Sequence, residues 1–115
     1  MDYCAAIDHE VFTDTNSVVS YPLFDAGNAP VSGCAVMVNH FRNRAYPADL
    51  GVHDDNEGFY VVEGTGKYII RGREYDLRAG TSMFAPAGMP HGLKNTGEGP
   101  LVVFIYHFPA TEAAR

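Results

Sequence analysis

Long apolar runs, paired cysteines and clustered basic charge are all scarce in this chain, and each shortage removes a class of protein. No stretch approaches the ~20 consecutive apolar residues that cross a bilayer as a helix. The opening Met1-Asp2-Tyr3-Cys4 lacks the basic charge of a secretory signal. No membrane partner is expected, and the cytoplasm is the expected location. Only two cysteines occur, Cys4 and Cys34, far apart and outside any C-x-x-C pair, so free thiols are expected in a reducing compartment. Lys and Arg number 8 against 14 Asp and Glu, for a net charge of -6, and the basic residues nowhere cluster. A phosphate backbone needs a basic face, so nucleic acid is excluded as an expected partner. Helical periodicity is missing as well. Apolar residues do not recur at i, i+3, i+4, i+7 over a convincing window, which leaves at most short helical turns near residues 2–10 and in the Ala-rich tail 111–115.

What the chain has is punctuation. Twelve glycines and seven prolines fall between short apolar runs, a spacing that predicts an all-β sandwich or barrel. Strands are expected over residues 32–41 (SGCAVMVNHF), 58–63 (GFYVVE), 67–71, 74–77, 81–85, 91–95 and 101–108. Gly72-Arg73 suits a tight hairpin between the third and fourth of these. Residues 11–21 read as an added edge strand, followed by a loop over 25–30. The expected organisation is one domain: an N-terminal extension and edge strand over 1–31, a barrel over 32–108 and a tail over 109–115. Hydrophobic residues make up 46%, enough for a core, although a domain of 115 residues is marginally stable alone and gains from a partner subunit.

Three polar residues stand where a barrel interior has to account for them. Glu57 begins the otherwise apolar strand GFYVVEG, His53 precedes it across Asp54-Asp55-Asn56, and His91 opens the strand after Pro86-Ala87-Gly88-Met89-Pro90. Imidazoles and a carboxylate converging inside a sheet are costly unless they are paired or bound to a cation. Two histidines and one carboxylate form a facial ligand set for Fe(II), Mn, Zn, Ni or Co, with positions left open for water and substrate. The competing interpretation is a polar cluster that satisfies its own hydrogen bonds.

The chain resembles the cupin superfamily, as a small single-domain, RmlC-like cupin. That superfamily's second motif, G-x5-P-x-G-x2-H-x3-N, is met at Gly80, Pro86, Gly88, His91 and Asn95. Its first motif, G-x5-H-x-H-x3/4-E-x6-G, is met at His53, Glu57 and Gly64, whereas Gly51 holds the first-histidine position and Ala45 the leading-glycine position. The resemblance implies a jelly-roll (double-stranded β-helix) barrel, with Gly64, Gly80 and Gly88 in tight turns. It also implies one divalent transition metal held by His53, Glu57 and His91, and a fourth ligand position vacated at Gly51. That vacancy leaves three outcomes open: water or substrate completes the site; Asp55, His40 or His107 reaches in; or the metal is lost and a binding pocket remains. The implied function is action on a small organic molecule, as a dioxygenase or as an isomerase, epimerase or lyase. A non-catalytic binding or sensor protein, with or without metal, is the alternative. A homodimer is implied too, through the N-terminal strand and the outer sheet face.

The remaining candidates are weighed one by one. His107 alternates with Val103 and Ile105, so an inward face would make it a general acid or base or a donor to substrate; a structural or rim role is favoured. His40 alternates with Val36 and Val38 and is treated the same way. His9 is expected to be solvated, and Asp54 and Asp55 to form an exposed loop. Phe59, Tyr60, Tyr68 and Phe84 are expected in core or dimer packing. Cys34 is expected to be a small buried hydrophobe.

Overall fold

A computed structural model describes residues 2–15, 17–42 and 50–111. The described residues form nine strands and no helix: β1 (Thr13–Asp14), β2 (Val18–Phe24), β3 (Ala35–Phe41), β4 (Asn56–Glu63), β5 (Gly66–Ile70), β6 (Arg73–Leu77), β7 (Ser82–Ala85), β8 (His91–Asn95) and β9 (Leu101–Phe108). A six-stranded sheet in the order β1-β2-β3-β9-β4-β7 faces a three-stranded sheet in the order β6-β5-β8, and every pairing is antiparallel. This is a jelly roll. Among the described residues no helix is long and apolar enough to cross a membrane.

Alternation of side chains along the central strands builds the core. In β9, Leu101, Val103 and Ile105 point inwards, where they meet Phe59 and Val61 of β4, Met83 and Ala85 of β7, and Tyr68 and Leu77 of the smaller sheet. Phe59 and Ile105 are almost fully buried, so truncation to Ala would cost about 3–5 kcal/mol at Phe59 and about 2–5 kcal/mol at Ile105. The opposite residues of β9 face outwards. The Tyr106 ring lies over Gly58, where even a Cβ would collide with it, so the glycine makes room for the aromatic on the neighbouring strand.

Strands β8 and β9 occupy the residues expected of them, and β4 starts two residues earlier, at Asn56. The hairpin between β5 and β6 is the instructive difference. Its two-residue turn is Arg71-Gly72, not Gly72-Arg73, and both residues have positive φ, at 53° and 72°. A type I′ turn requires that sign at both central positions and matches the right-handed twist of the strands. In the N-terminal part, β2 pairs with β3 from Val18↔Phe41 to Phe24↔Val36, and the edge of the sheet falls to the two-residue β1. No helix forms over residues 2–10, only a single turn at 9–10 in which the Val11 amide donates to the Asp8 carbonyl at 3.0 Å. Residues 112–115 of the tail lie outside the described residues.

Candidate metal centre

Pairing register determines which side chains meet. Ala35 of β3, His107 of β9, Glu57 of β4 and Ala85 of β7 lie in one row across the larger sheet. Glu57 and His107 share the inward face of that row. From the smaller sheet His91, the first residue of β8, points into the same space, boxed edge-on by Phe59 at 5.7 Å and flanked by Tyr68 at 6.3 Å. His53 arrives from the loop before β4. Two backbone ties hold that loop to the turn preceding β8: Gly51 and His91 exchange N–H···O bonds of 2.9 Å in both directions, and the Gly88 amide donates to the His53 carbonyl at 2.8 Å.

The result is a cluster centred on one carboxylate. Glu57 Oε1 lies 2.8 Å from His91 Nε2 and 3.4 Å from His53 Nε2, and the donor atoms of the three residues all lie within 4.8 Å of one another. Glu57 Oε2 lies 2.9 Å from His107 Nε2, and His107 Nδ1 lies 3.1 Å from Asp55 Oδ1. A hydrogen-bonded chain therefore runs Asp55–His107–Glu57–His91, ending where His91 Nδ1 donates to the Met89 carbonyl at 2.9 Å.

Electrostatics follow from this chain. Burial alone would raise the Glu57 pKa, but hydrogen bonds from His107 and His91, with the charges of His107 and His53, overcome it and hold the acid down to about 2. For His107, the bond to Glu57 and the bond to Asp55 outweigh burial and lift the imidazole to about 9. His91 is pulled down by burial yet ends above its ordinary value, through its bonds to Glu57 and Met89. Tyr68 is pushed up, by burial first and by the Glu57 charge second. The cluster is a buried carboxylate held by hydrogen bonds to His107 and His91.

The donor set fits a divalent ion. Bonds of about 2.0–2.2 Å to nitrogen and oxygen place neighbouring ligand atoms about 3 Å apart, the spacing seen around Glu57 Oε1. The Met89 carbonyl fixes the proton of His91 on Nδ1, which frees the Nε2 lone pair for a metal, as ligating histidines usually arrange. In the cluster as it stands, a proton on Nε2 occupies the place of the cation.

Position 51 also resolves. A Cβ on Gly51 would lie 4.0 Å from His53 Nε2, so a side chain there would be directed at the cluster. Of the three residues considered as replacements, His40 is ruled out by its face: it points outwards, 5.2 Å edge-on from Tyr21. His107, expected at the rim, does stand near the end of its strand, but it is turned inwards against Glu57 with only 13% of its side chain exposed. It grips the second oxygen of the carboxylate and is not one of the three converging donors. Asp55 sits one step further back, on His107, and is half-buried, not a solvated loop residue like Asp54. Asn95 of the second motif has a structural duty: its amide donates to the carbonyls of Phe41 and Gly99 and accepts from the Gly97 amide, all at 2.8 Å. Cys4 is exposed and Cys34 half-buried, both as free thiols. Ala45 lies outside the described residues.

The profile of the cupin domain matches residues 47–107, more than half of the chain. The chain belongs to the cupin family. A curated relative of this cupin, the uncharacterized protein MJ1618 of Methanocaldococcus jannaschii, is 25% identical over 57 residues, which are 50% of this chain and 46% of that protein. The match thus spans about half the length of that relative. Among solved structures, an RmlC-like cupin from Shewanella frigidimarina superposes with a TM-score of 0.75 at 20% identity, over 97% of this chain and 95% of that one. A predicted oxalate decarboxylase from Thermotoga maritima gives 0.74 at 15% identity, over 91% and 99%. These likenesses are likenesses of fold.

Proposed function

We propose that this cupin is a metal-dependent enzyme acting on a small organic molecule, with His53, Glu57 and His91 holding one divalent transition ion. The observation that carries the proposal is the His91 ring, whose Nδ1 proton is committed to Met89 while Nε2 converges with His53 Nε2 on a single oxygen of buried Glu57. When bound, such an ion supplies Lewis-acid chemistry, polarising a carbonyl, carboxylate or enediol oxygen of the substrate. The chain's own residues provide the rest. Glu57 is held in place through its second oxygen by His107, and Phe59 and Tyr68 fix the His91 ring plane. His107 also borders an open cleft of about 740 Å³, together with His53 and Asp55, where it can hold or pass a proton beside the substrate.

Two reaction types suit this arrangement: oxygen insertion at Fe(II), or an isomerase, epimerase or lyase reaction. The Asp55–His107 pair supports the second, because a proton carrier beside the ligand set serves enolisation or decarboxylation directly. Turnover that proceeds equally with and without oxygen supports it in solution; oxygen consumption in step with turnover overturns it. The metal itself is tested by elemental analysis. Protein produced in metal-replete medium is expected to carry close to one transition ion per chain, and His91→Ala to lose most of it. Metal-free wild-type protein under those conditions rejects the proposal in favour of a non-catalytic binding or sensor cupin.

We also propose that two copies pair through the outward face of the larger sheet, where Tyr60, Val62 and Phe84 are each about half exposed, at 48%, 52% and 46%. The free thiols support a reducing, cytoplasmic setting.

A further inference from the structure

The open cleft beside the cluster is lined unevenly. His53, Asp54, Asp55 and His107 make up its polar part, and most of the remainder is hydrocarbon. Ala35 and Met37, successive inward residues of β3, supply one apolar stretch. Pro109, directly after β9, supplies another and packs over Gly33, where a Cβ would come within 2.7 Å of its ring. Val52 completes the apolar lining and leaves 55% of its surface exposed. The two acids differ in what they already hold. Asp55 accepts from His107 at 3.1 Å. Asp54 is exposed and has neither an ion pair nor a hydrogen bond among the described residues. No described Lys or Arg lines the cleft, so no fixed cation there offsets the Asp54 carboxylate.

Position in the chain gives this carboxylate its reach. Asp54 directly follows His53, whose Nε2 lies 3.4 Å from Glu57 Oε1, so a ligand extending from the three converging donors into the cleft enters its field. We propose that Asp54 is a specificity-determining residue of this site, rejecting substrates that carry a second negative charge. The substrate class is a short-chain oxo or carboxylic acid with a single anionic end and a neutral alkyl body. The anionic end offers oxygen to the metal, and the alkyl body lies on Met37, Val52 and Pro109. Sugar phosphates and dicarboxylic acids fall outside this class, because their second anion meets an unpaired carboxylate. Discrimination of this kind works by repulsion, not by added contacts. At an exposed position it is worth about three- to ten-fold in binding. This deepens the proposed function and rests on it for the metal-bound end alone; the apolar lining and the unpaired acid stand on the cleft itself.

Two acids of matched length test it: 2-oxohexanoate, which ends in alkyl, and 2-oxopentanedioate, which ends in a second carboxylate. Each is titrated calorimetrically into Co(II)-saturated and metal-free protein, at low salt and at about 0.5 M NaCl. At low salt the parent is expected to bind the monoanion about ten-fold more tightly than the dianion. Asp54→Asn should narrow that gap about three-fold, and Asp54→Lys, which reverses the charge, about ten-fold. High salt should narrow the gap of the parent more than that of Asp54→Asn, a response that packing alone would not give. A parent that binds the dianion as well as the monoanion, or better, overturns the proposal. A gap that neither substitution moves also overturns it, since the apolar lining alone would then select. Failure of both acids to bind overturns it too, because the cleft would then take no such ligand. Absence of Co(II) uptake rejects the metal reading instead. The metal-free titrations, in which the imidazoles of His53 and His107 receive the near carboxylate, then decide the role of Asp54 by the same gap.

Discussion

Gly51 is the ligand position at which this chain departs from its family's motif, and it is also the simplest to repair. Its Cβ position faces His53 Nε2 at 4.0 Å, and its backbone is not in the left-handed region, so a side chain is admissible. Gly51→His is expected to tighten Zn(II) or Co(II) binding by about ten-fold or more in competition titrations, by adding a third nitrogen as a fourth ligand. An unchanged affinity would mean that position 51 does not address the ion. Ionisation at the cluster gives a second expectation. Glu57 is held at about 2, below its ordinary 4.5, so its contribution to metal-free stability is complete above pH 4.5 and is lost as pH falls towards 2. His107 is raised to about 9 from 6.5, so its contribution is complete below pH 6.5 and is lost as pH rises through 9. The two limbs describe one shared contact, not two separate gains. Metal-free protein should therefore resist urea best between about pH 4.5 and 6.5. His107→Gln should flatten the alkaline limb; a profile that stays steep above pH 6.5 would place the titrating group elsewhere. At this scale the candidate trio was legible because Glu57 and His91 stand at strand starts and His53 keeps the first-motif spacing to Glu57. The inward turn of His107 was not, because its alternation with Val103 and Ile105 does not by itself say which face of the strand meets the core.

At the scale of elements, the turn before β8 is what delivers His91. Gly88 has a φ of +78° and nothing within 4 Å of where a Cβ would go, so the cost of a side chain there is conformational, not steric. Gly88→Val should lose about 1–2 kcal/mol in denaturant unfolding. Metal affinity should fall as well, since the Gly88 amide holds the His53 carbonyl. A variant as stable as the parent would show that the left-handed conformation is dispensable. Strands bounded by Pro or Gly, such as β8, and the long hydrophobic β9 could be read to the residue, because both ends were marked. The β5–β6 turn could not, because Arg71 takes a conformation ordinarily left to Gly or Asn, and only the twist of the paired strands forces it there. The weight of β2 in the larger sheet was hidden for a related reason: its six pairings with β3 are long-range and leave no local pattern.

For the molecule as a whole, what the outer face lacks in charge it carries in rings. Phe104, Tyr106 and Phe108 run down β9 with centroids about 6 Å apart, at 6.1 and 6.0 Å, and Phe84 of β7 meets Phe108 at 5.8 Å. These β9 rings are half-buried, and the exposed Tyr60 and Phe84 extend them into an apolar surface of the kind that marks association sites. Sedimentation is expected to report a dimer that Tyr60→Glu with Phe84→Glu converts to monomer; a monomeric parent at micromolar concentration would remove the proposed pairing. All-β character could be read from glycine and proline spacing, and the jelly roll from the family resemblance that the second motif carries. The division into two sheets could not, because strand order is decided by contacts between residues far apart in the chain.

The paired amides of Gly51 and His91, and the Gly88 tether to His53, have a consequence for how an ion is captured. The loop of His53 and the turn before His91 are latched to one another through main chain alone, so a cation bound at the proposed site would find its imidazoles already arranged and have little loop entropy left to quench. Uptake should then be fast and limited by proton departure from the rings. The latch amides of residues 51, 88 and 91 should exchange with deuterium as one slow unit in metal-free protein, scarcely slower once loaded.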